Sequence, residues 1–146
     1  KTFINVDRRA VIDANFATLW AAEDSAISAD ALLALLNSSW WIAQAELACT
    51  IMGGGALKLE ATHLRRFILP QLDWDELNTL GEALAIGSAQ VSDIDGVVFQ
   101  AIGGQKTRAR VCQLLRIKLD QRRRHLEGAR LIAPTADLGV SSAVKE

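Results

Sequence analysis

The sequence predicts an α+β fold in which a small sheet packs on a long central helix and a C-terminal helical segment follows. Segments 3–6 and 11–20 have the apolar composition of strands, and apolar residues alternate with other residues in segment 56–61. Apolar residues recur at helical spacing between residues 28 and 52, and again in three segments after residue 73. These three observations together favour a mixed fold.

The chain is long enough for one domain with a buried core, since it has 146 residues and half of them are apolar. We expect a single α+β domain over residues 1–130 and a tail over 131–146. Within the domain, residues 1–72 form an α/β part and residues 73–130 form a helical part. Two strands, at residues 3–6 and 11–20, are predicted to open the chain and to build the sheet with the strand near Leu57.

The chain begins without an initiator methionine or an apolar signal core, so no export signal is expected. Cys49 and Cys112 both stand in apolar helical segments without the spacing of metal ligands. This pattern favours buried free thiols over a disulfide, and it predicts a cytoplasmic protein.

The long central helix is predicted to begin at the N-cap Ser28, with Asp30 in its first turn. Polar residues interrupt the apolar segment 31–52, so we expect a buried helix of a soluble protein and no membrane partner. Trp41 lies off the apolar face. It either belongs to a helix that is buried on several sides or contacts another chain. The apolar face itself comprises Leu32, Leu35, Leu36, Trp40, Ala43 and Leu47.

Three glycines, Gly53, Gly54 and Gly55, end this helix, which is more than a helix cap requires. They form either a mobile loop or a turn that approaches phosphates, although they follow a helix and so lack the dipole geometry of a nucleotide loop. The alternation in residues 56–61 predicts a half-buried strand with Leu57 and Leu59 inward. Thr62 is the predicted N-cap of a short basic turn.

Three helices are predicted after Pro70. The first covers residues 73–86 and has acidic residues in its first turn. The second begins at the cap Ser92 and ends at Gly103 and Gly104. The third covers about residues 106–126.

Charge is distributed unevenly along the chain, although the formal net charge is −1. Residues 1–103 carry 6 basic and 13 acidic side chains, whereas residues 104–130 carry 9 basic and 2 acidic ones. The last helix therefore faces either a polyanion or the acidic part of its own chain. Its arginines project in nearly all directions, which fits either a solvated helix stabilised by the helix dipole or contact with phosphates.

No catalytic constellation is recognisable in the sequence. The two histidines, His63 and His125, are expected to be surface or capping residues, and no nucleophile elbow or clustered metal-ligand spacing occurs. The carboxylate pairs at 73/75 and 93/95 stand at predicted helix starts, where the helix dipole explains them.

An ordered series of phrases lies within residues 28–70. Leu35, Leu36, Asn37 and Ser38 end a leucine-rich stretch, the glycine turn and the strand at 57–59 follow, and residues 64–70 close the series as LRRFILP. This series resembles the C-terminal target-recognition region of N6-adenine DNA methyltransferases from restriction-modification and related defence systems. A related pattern occurs in the specificity subunits of type I restriction enzymes. The resemblance covers approximately residues 13–75.

The resemblance implies double-stranded DNA as a partner. In that family the catalytic half binds S-adenosylmethionine and holds the flipped adenine with an Asn-Pro-Pro-Tyr or Asp-Pro-Pro-Tyr motif. This sequence has no tyrosine and only two prolines, so the resemblance implies a non-catalytic portion that has no cofactor of its own and works with a methyltransferase catalytic domain or subunit. The residues implied to face DNA are Gly53, Gly54, Gly55, Lys58, Arg65, Arg66, Arg116, Arg122, Arg123 and Arg124.

Two classes of function therefore remain open from the sequence. The first is a DNA target-recognition module of an adenine methyltransferase. The second is a non-enzymatic protein-interaction domain that docks a missing partner through the region of Trp40 and Trp41 and through the basic C-terminal helix. Charge alone does not separate them.

Overall fold

The computed structural model describes residues 19, 22, 24–52 and 55–132, with side chains up to residue 124. The predicted N-terminal strands at 3–6 and 11–20 lie outside these residues, apart from position 19. Within the described part the chain is mostly helical, with one small two-stranded antiparallel sheet. The elements are α1 (Ala29–Asn37), α2 (Ser39–Ala48), β1 (Thr50–Ile51), β2 (Leu57–Lys58), α3 (Ala61–Leu64), α4 (Trp74–Ala85), α5 (Val91–Ala101) and α6 (Gly104–Ile132).

The single long central helix is not confirmed, because the chain turns at Ser38 and forms α1 and α2 instead. Ser38 has an extended backbone (φ −67°, ψ 151°) and is fully buried. Its hydroxyl donates to the carbonyl of Leu35 at 2.6 Å and accepts from the N–H of Trp41 at 3.1 Å. One side chain thus satisfies a group at the end of α1 and another at the start of α2.

Because of this break, the apolar side chains predicted to share one helix face do not all point into the core. Leu35 and Ala43 are buried as expected, but Leu47 is 62% exposed, because the helical phase does not continue from α1 into α2. Residues 50 and 51, which the sequence pattern assigned to the helix, form β1 instead. Thr50 pairs with Lys58 and Ile51 with Leu57, so only two residues of the predicted strand 56–61 are paired.

The N-cap predictions have mixed outcomes. Ser28 caps α1 by accepting from the N–H of Ala31 at 3.0 Å, as predicted. Thr62 is not a cap, since α3 begins after Glu60 and is held by a reciprocal pair between Glu60 and His63. Ser92 is also wrong as a cap: Gln90 and Asp93 form the corresponding pair at the start of α5. Both errors arise because a longer side chain can replace serine or threonine in a capping box.

The core lies where α1 packs on α4 and α5. Its fully buried members are Ala31, Ala34, Leu35, Leu77, Ile94 and Val98. The α1–α4 contact is very close, because a Cβ placed on Gly81 would lie 1.9 Å from the carbonyl oxygen of Asp30. Gly103 and Gly104 lie at the junction of α5 and α6 with φ values of 120° and 67°, which fits the predicted glycine stop.

The helix α6 is the longest of the described helices, with 29 residues, and it packs against α2 and α5. It begins two residues before the predicted start and continues to Ile132, beyond the predicted end at 126. Among the described residues, no helix has both the length and the apolar character that crossing a membrane requires.

Candidate nucleic-acid interface

The predicted DNA-facing residues that the structure describes differ in their surroundings. Gly53 and Gly54 lie outside the described residues. Gly55 is buried with a φ of 73°, a conformation that favours glycine, and its N–H donates to the carbonyl of Met52 at 3.0 Å. The Gly55 carbonyl accepts a hydrogen bond of 2.8 Å from Nη1 of Arg122. The described end of the glycine turn is therefore fixed to α6.

The guanidinium group of Arg122 forms an ion pair and a hydrogen bond within the protein. Its Nη2 lies 2.6 Å from Oε1 of Glu46, and the two side chains are 21% and 1% exposed, respectively. Both terminal nitrogens of the guanidinium thus have partners inside the fold, one on α2 and one on the glycine turn. The sequence contained a signal for this pair, since a lone carboxylate in an otherwise apolar helix needs a cation when it is buried.

Lys58 also has an acidic partner, but on the surface. Its Nζ lies 2.7 Å from Oε1 of Glu60, and both side chains are about half exposed. The hydrogen bond from Lys58, followed by its positive charge, holds the pKa of Glu60 below its usual range. Such a pair is open to solvent and easily exchanged for a phosphate contact.

Arg65 and Arg66 follow the four-residue helix α3 and are both exposed. His63 orients this turn by accepting the N–H of Glu60 on its Nδ1 at 3.0 Å. Of the two predicted roles, surface residue or capping residue, the second is the one observed. The two arginines differ in surroundings. Arg66 borders an apolar groove next to α2 and α6, whereas Arg65 does not.

Three exposed arginines lie between residues 116 and 124 of α6, and we call them the basic flank: Arg116, Arg123 and Arg124. Arg116 and Arg123 are seven residues apart, so they lie on the same side of the helix. None of the three has an acidic group within 4.0 Å among the described residues. By sequence position, Asp120 is one helical turn from Arg116 and Arg124, and Glu127 is one turn from Arg123. Three arginines against these two carboxylates leave the flank with a net positive charge.

Asp95 is the polar residue whose role the sequence pattern missed. It is 3% exposed and lies in the middle of α5, where its Oδ1 accepts the N–H of Ser39 at 2.8 Å. Its other oxygen is 4.0 Å from Nη2 of Arg108 on α6. Asp93 does act at a helix start as predicted, but Asp95 instead caps a different helix, α2, and links it to α6.

The two tryptophans of α2 are partly buried and pack against the core cluster. Trp41 packs edge-on against Phe67, with ring centroids 4.6 Å apart, so it contacts its own chain. Trp40 lines a groove of about 360 Å³ between α2, α6 and residues 66–68. The groove walls are mainly apolar, and Arg66 and Arg110 stand at its border.

The cysteines are both free. Cys112 is exposed, contrary to the prediction of a buried thiol, because its position on α6 faces away from α2 and α5. Cys49 is half-buried. Burial, and then the negative charge of Glu46, raise the pKa of the Cys49 thiol.

Within the described ranges, no group of three or more histidine, cysteine, aspartate or glutamate side chains is arranged to hold a metal ion. Comparison of this chain with protein-family models, with curated proteins and with solved structures finds no match.

Proposed function

We propose that this chain binds double-stranded DNA through the basic flank of α6, as the non-catalytic target-recognition portion of an adenine-specific DNA methyltransferase in the cytoplasm. Methyl transfer then belongs to a catalytic domain or subunit that binds S-adenosylmethionine. The DNA contact is supported by the charges of the structure. The link to adenine methyltransferases is supported by the resemblance of residues 28–70 alone.

The proposal rests on one observation: the arginines along α6 differ in their exposure and in their acidic partners. Arg108 and Arg122 face acidic groups of α5 and α2, respectively, and are partly buried. The three arginines of the basic flank are exposed and have no acidic partner among the described residues. A helix whose surface served only to keep the protein in solution would not need this local excess of positive charge.

The dimensions suit the phosphate backbone. Residues 116–124 span about 12 Å along α6 at about 1.5 Å per residue. One DNA strand carries a charge every 3.4 Å or so along the duplex axis, so the flank can reach about three phosphates. Arginine forks bind phosphate oxygens in pairs, which suits this role.

The test is titration of a fluorescently labelled duplex with the full chain, read by anisotropy at about 50 mM and about 200 mM salt. The variant Arg116→Gln/Arg123→Gln/Arg124→Gln removes three contacts. It should lower the slope of log K against log salt by about 2.7, at about 0.9 per phosphate. Between the two salt concentrations this difference corresponds to a factor of about 40 in binding.

A matched control changes the net charge equally at other positions of α6: Lys106→Gln/Arg110→Gln/Lys118→Gln. The control should keep the wild-type slope. Absence of binding by the wild-type chain at low salt would refute the proposal. An equal loss in both triple variants would also refute it, because it would show an effect of net charge alone.

A further inference from the structure

The apolar groove between α2 and α6 is lined by large side chains that are exposed to solvent. Leu47 on α2 is 62% exposed and Ile68 on the facing segment is 65% exposed, and both line the groove. Its floor includes Trp40, Phe67, Val111 and Leu114. Large apolar side chains that gather in one concave surface mark a site where another molecule docks.

The groove continues along α6. A second depression of about 250 Å³ shares Arg110 and Leu114 with the first and extends to Ile117, which is 50% exposed, and to Lys118. Residues 110–118 cover about 12 Å of the helix, at about 1.5 Å per residue. This length matches about two turns of a second helix lying along α6.

The charges at the border have one sign. Arg66, Arg110 and Lys118 line the two depressions, and no aspartate or glutamate lines either of them. None of these three cations has an ion-pair partner in the part of the chain that the structure describes. An occupant that fills the apolar floor therefore gains most if it carries carboxylates along its edges.

We propose that this groove binds an acidic amphipathic helix of a partner protein. The apolar face of that helix packs on Trp40, Leu47 and Leu114, and its flanking carboxylates pair with Arg66, Arg110 and Lys118. A DNA duplex would contact the cations through phosphates but would leave the apolar floor uncovered. The groove does not include the basic flank, so this proposal stands independently of DNA binding.

The test uses the full chain and a fluorescent helical peptide of about 14 residues, or about four turns. The peptide has Leu at i, i+3, i+4 and i+7 and Glu on both sides of that face. Two control peptides carry Lys in place of Glu, or the same residues in scrambled order. Binding is measured by anisotropy, and its location by NMR shifts of the Leu47, Ile68 and Leu114 methyl groups.

The acidic peptide should bind, and the Lys peptide and the scrambled peptide should bind at least about tenfold more weakly. Leu47→Glu and Arg110→Glu should each weaken the acidic peptide by about tenfold or more, and because both side chains are exposed these variants should fold. The control Arg116→Glu/Arg123→Glu should bind the peptide as the wild type does.

Several outcomes would overturn this proposal. The first is that the full chain fails to bind the acidic peptide, as would happen if another part of the chain filled the groove. Equal binding of the Lys peptide, or shifts that map away from the groove, would do the same. So would Arg110-dependent binding to phosphatidylserine vesicles, or displacement of the peptide by duplex DNA, since these would assign the surface to a membrane or to nucleic acid.

Discussion

Replacing Arg122 with methionine should destabilise the fold strongly, because it leaves the Glu46 carboxylate buried without a cation. The two charges are 2.6 Å apart at the closest atoms, which corresponds to an attraction of about 6 kcal/mol at an effective dielectric constant near 20. The cost of desolvating both ions offsets much of that attraction. Removing one partner of such a pair typically costs about 3–5 kcal/mol, and the hydrogen bond to the Gly55 carbonyl is lost as well.

A loss of this size is a large part of the stability of a typical domain. It should lower the melting temperature by about 6–20 °C, at about 2–4 °C per kcal/mol for a chain of this size. Urea unfolding followed by tryptophan fluorescence measures the free energy directly, since the chain has four tryptophans.

The double variant Glu46→Leu/Arg122→Met tests the reasoning. Replacing both charges by apolar groups is often neutral or stabilising, so this variant should recover most of the stability lost in Arg122→Met. Arg123→Met, the adjacent exposed residue, is the control and should change stability by no more than about 0.5 kcal/mol. If Arg122→Met cost less than about 1 kcal/mol, or if the double variant were no better than the single one, the buried pair would not have the assigned role.

Three other changes give separate tests. Asp95→Ala should cost about 1–3 kcal/mol in urea unfolding, because the partly buried N–H of Ser39 loses its acceptor. Asp95→Asn, which retains an acceptor oxygen, should cost less. Gly81→Ala should lower the melting temperature, because the added Cβ would overlap the Asp30 carbonyl. Gly96→Ala, in open space on α5, should be neutral or stabilising by about 0.5–1 kcal/mol. Equal effects at both glycines would contradict the close packing of α1 on α4. Cys112 should react with iodoacetamide faster than Cys49, because Cys112 is exposed and the pKa of Cys49 is raised. Mass spectrometry of the labelled peptides measures the two rates, and equal rates would contradict this difference between the thiols.

Features that depend on neighbouring residues were predicted well. Ser28 caps α1 through an N–H three residues away, and the backbone angles of Gly103 and Gly104 mark the junction of α5 and α6. The apolar spacing of α4 around Leu77 likewise indicates a helix and its buried face without knowledge of the rest of the chain. These interactions are local, so the sequence pattern contains nearly all the information that decides them.

Where two distant segments meet, the sequence pattern was insufficient. A short polar stretch inside an apolar segment is compatible with a helix interior. Only the structure shows Ser38 in an extended conformation, with Asp95 of α5 accepting the N–H of the next residue. In the same way, the composition of α6 indicated a basic helix but not which arginines are free.

By itself, the sequence determined the predominance of helices after residue 28, the cap of α1, the glycine stop before α6 and the excess of positive charge on α6. The tertiary structure decided that Arg122 turns inward to Glu46, that Arg116 and Arg123 stay exposed, and that α2 and α6 enclose a groove. The physical reason is that a buried charge must find its counter-charge wherever the fold brings one, here 76 positions along the chain. That pairing depends on how α2 packs against α6, which no local pattern specifies.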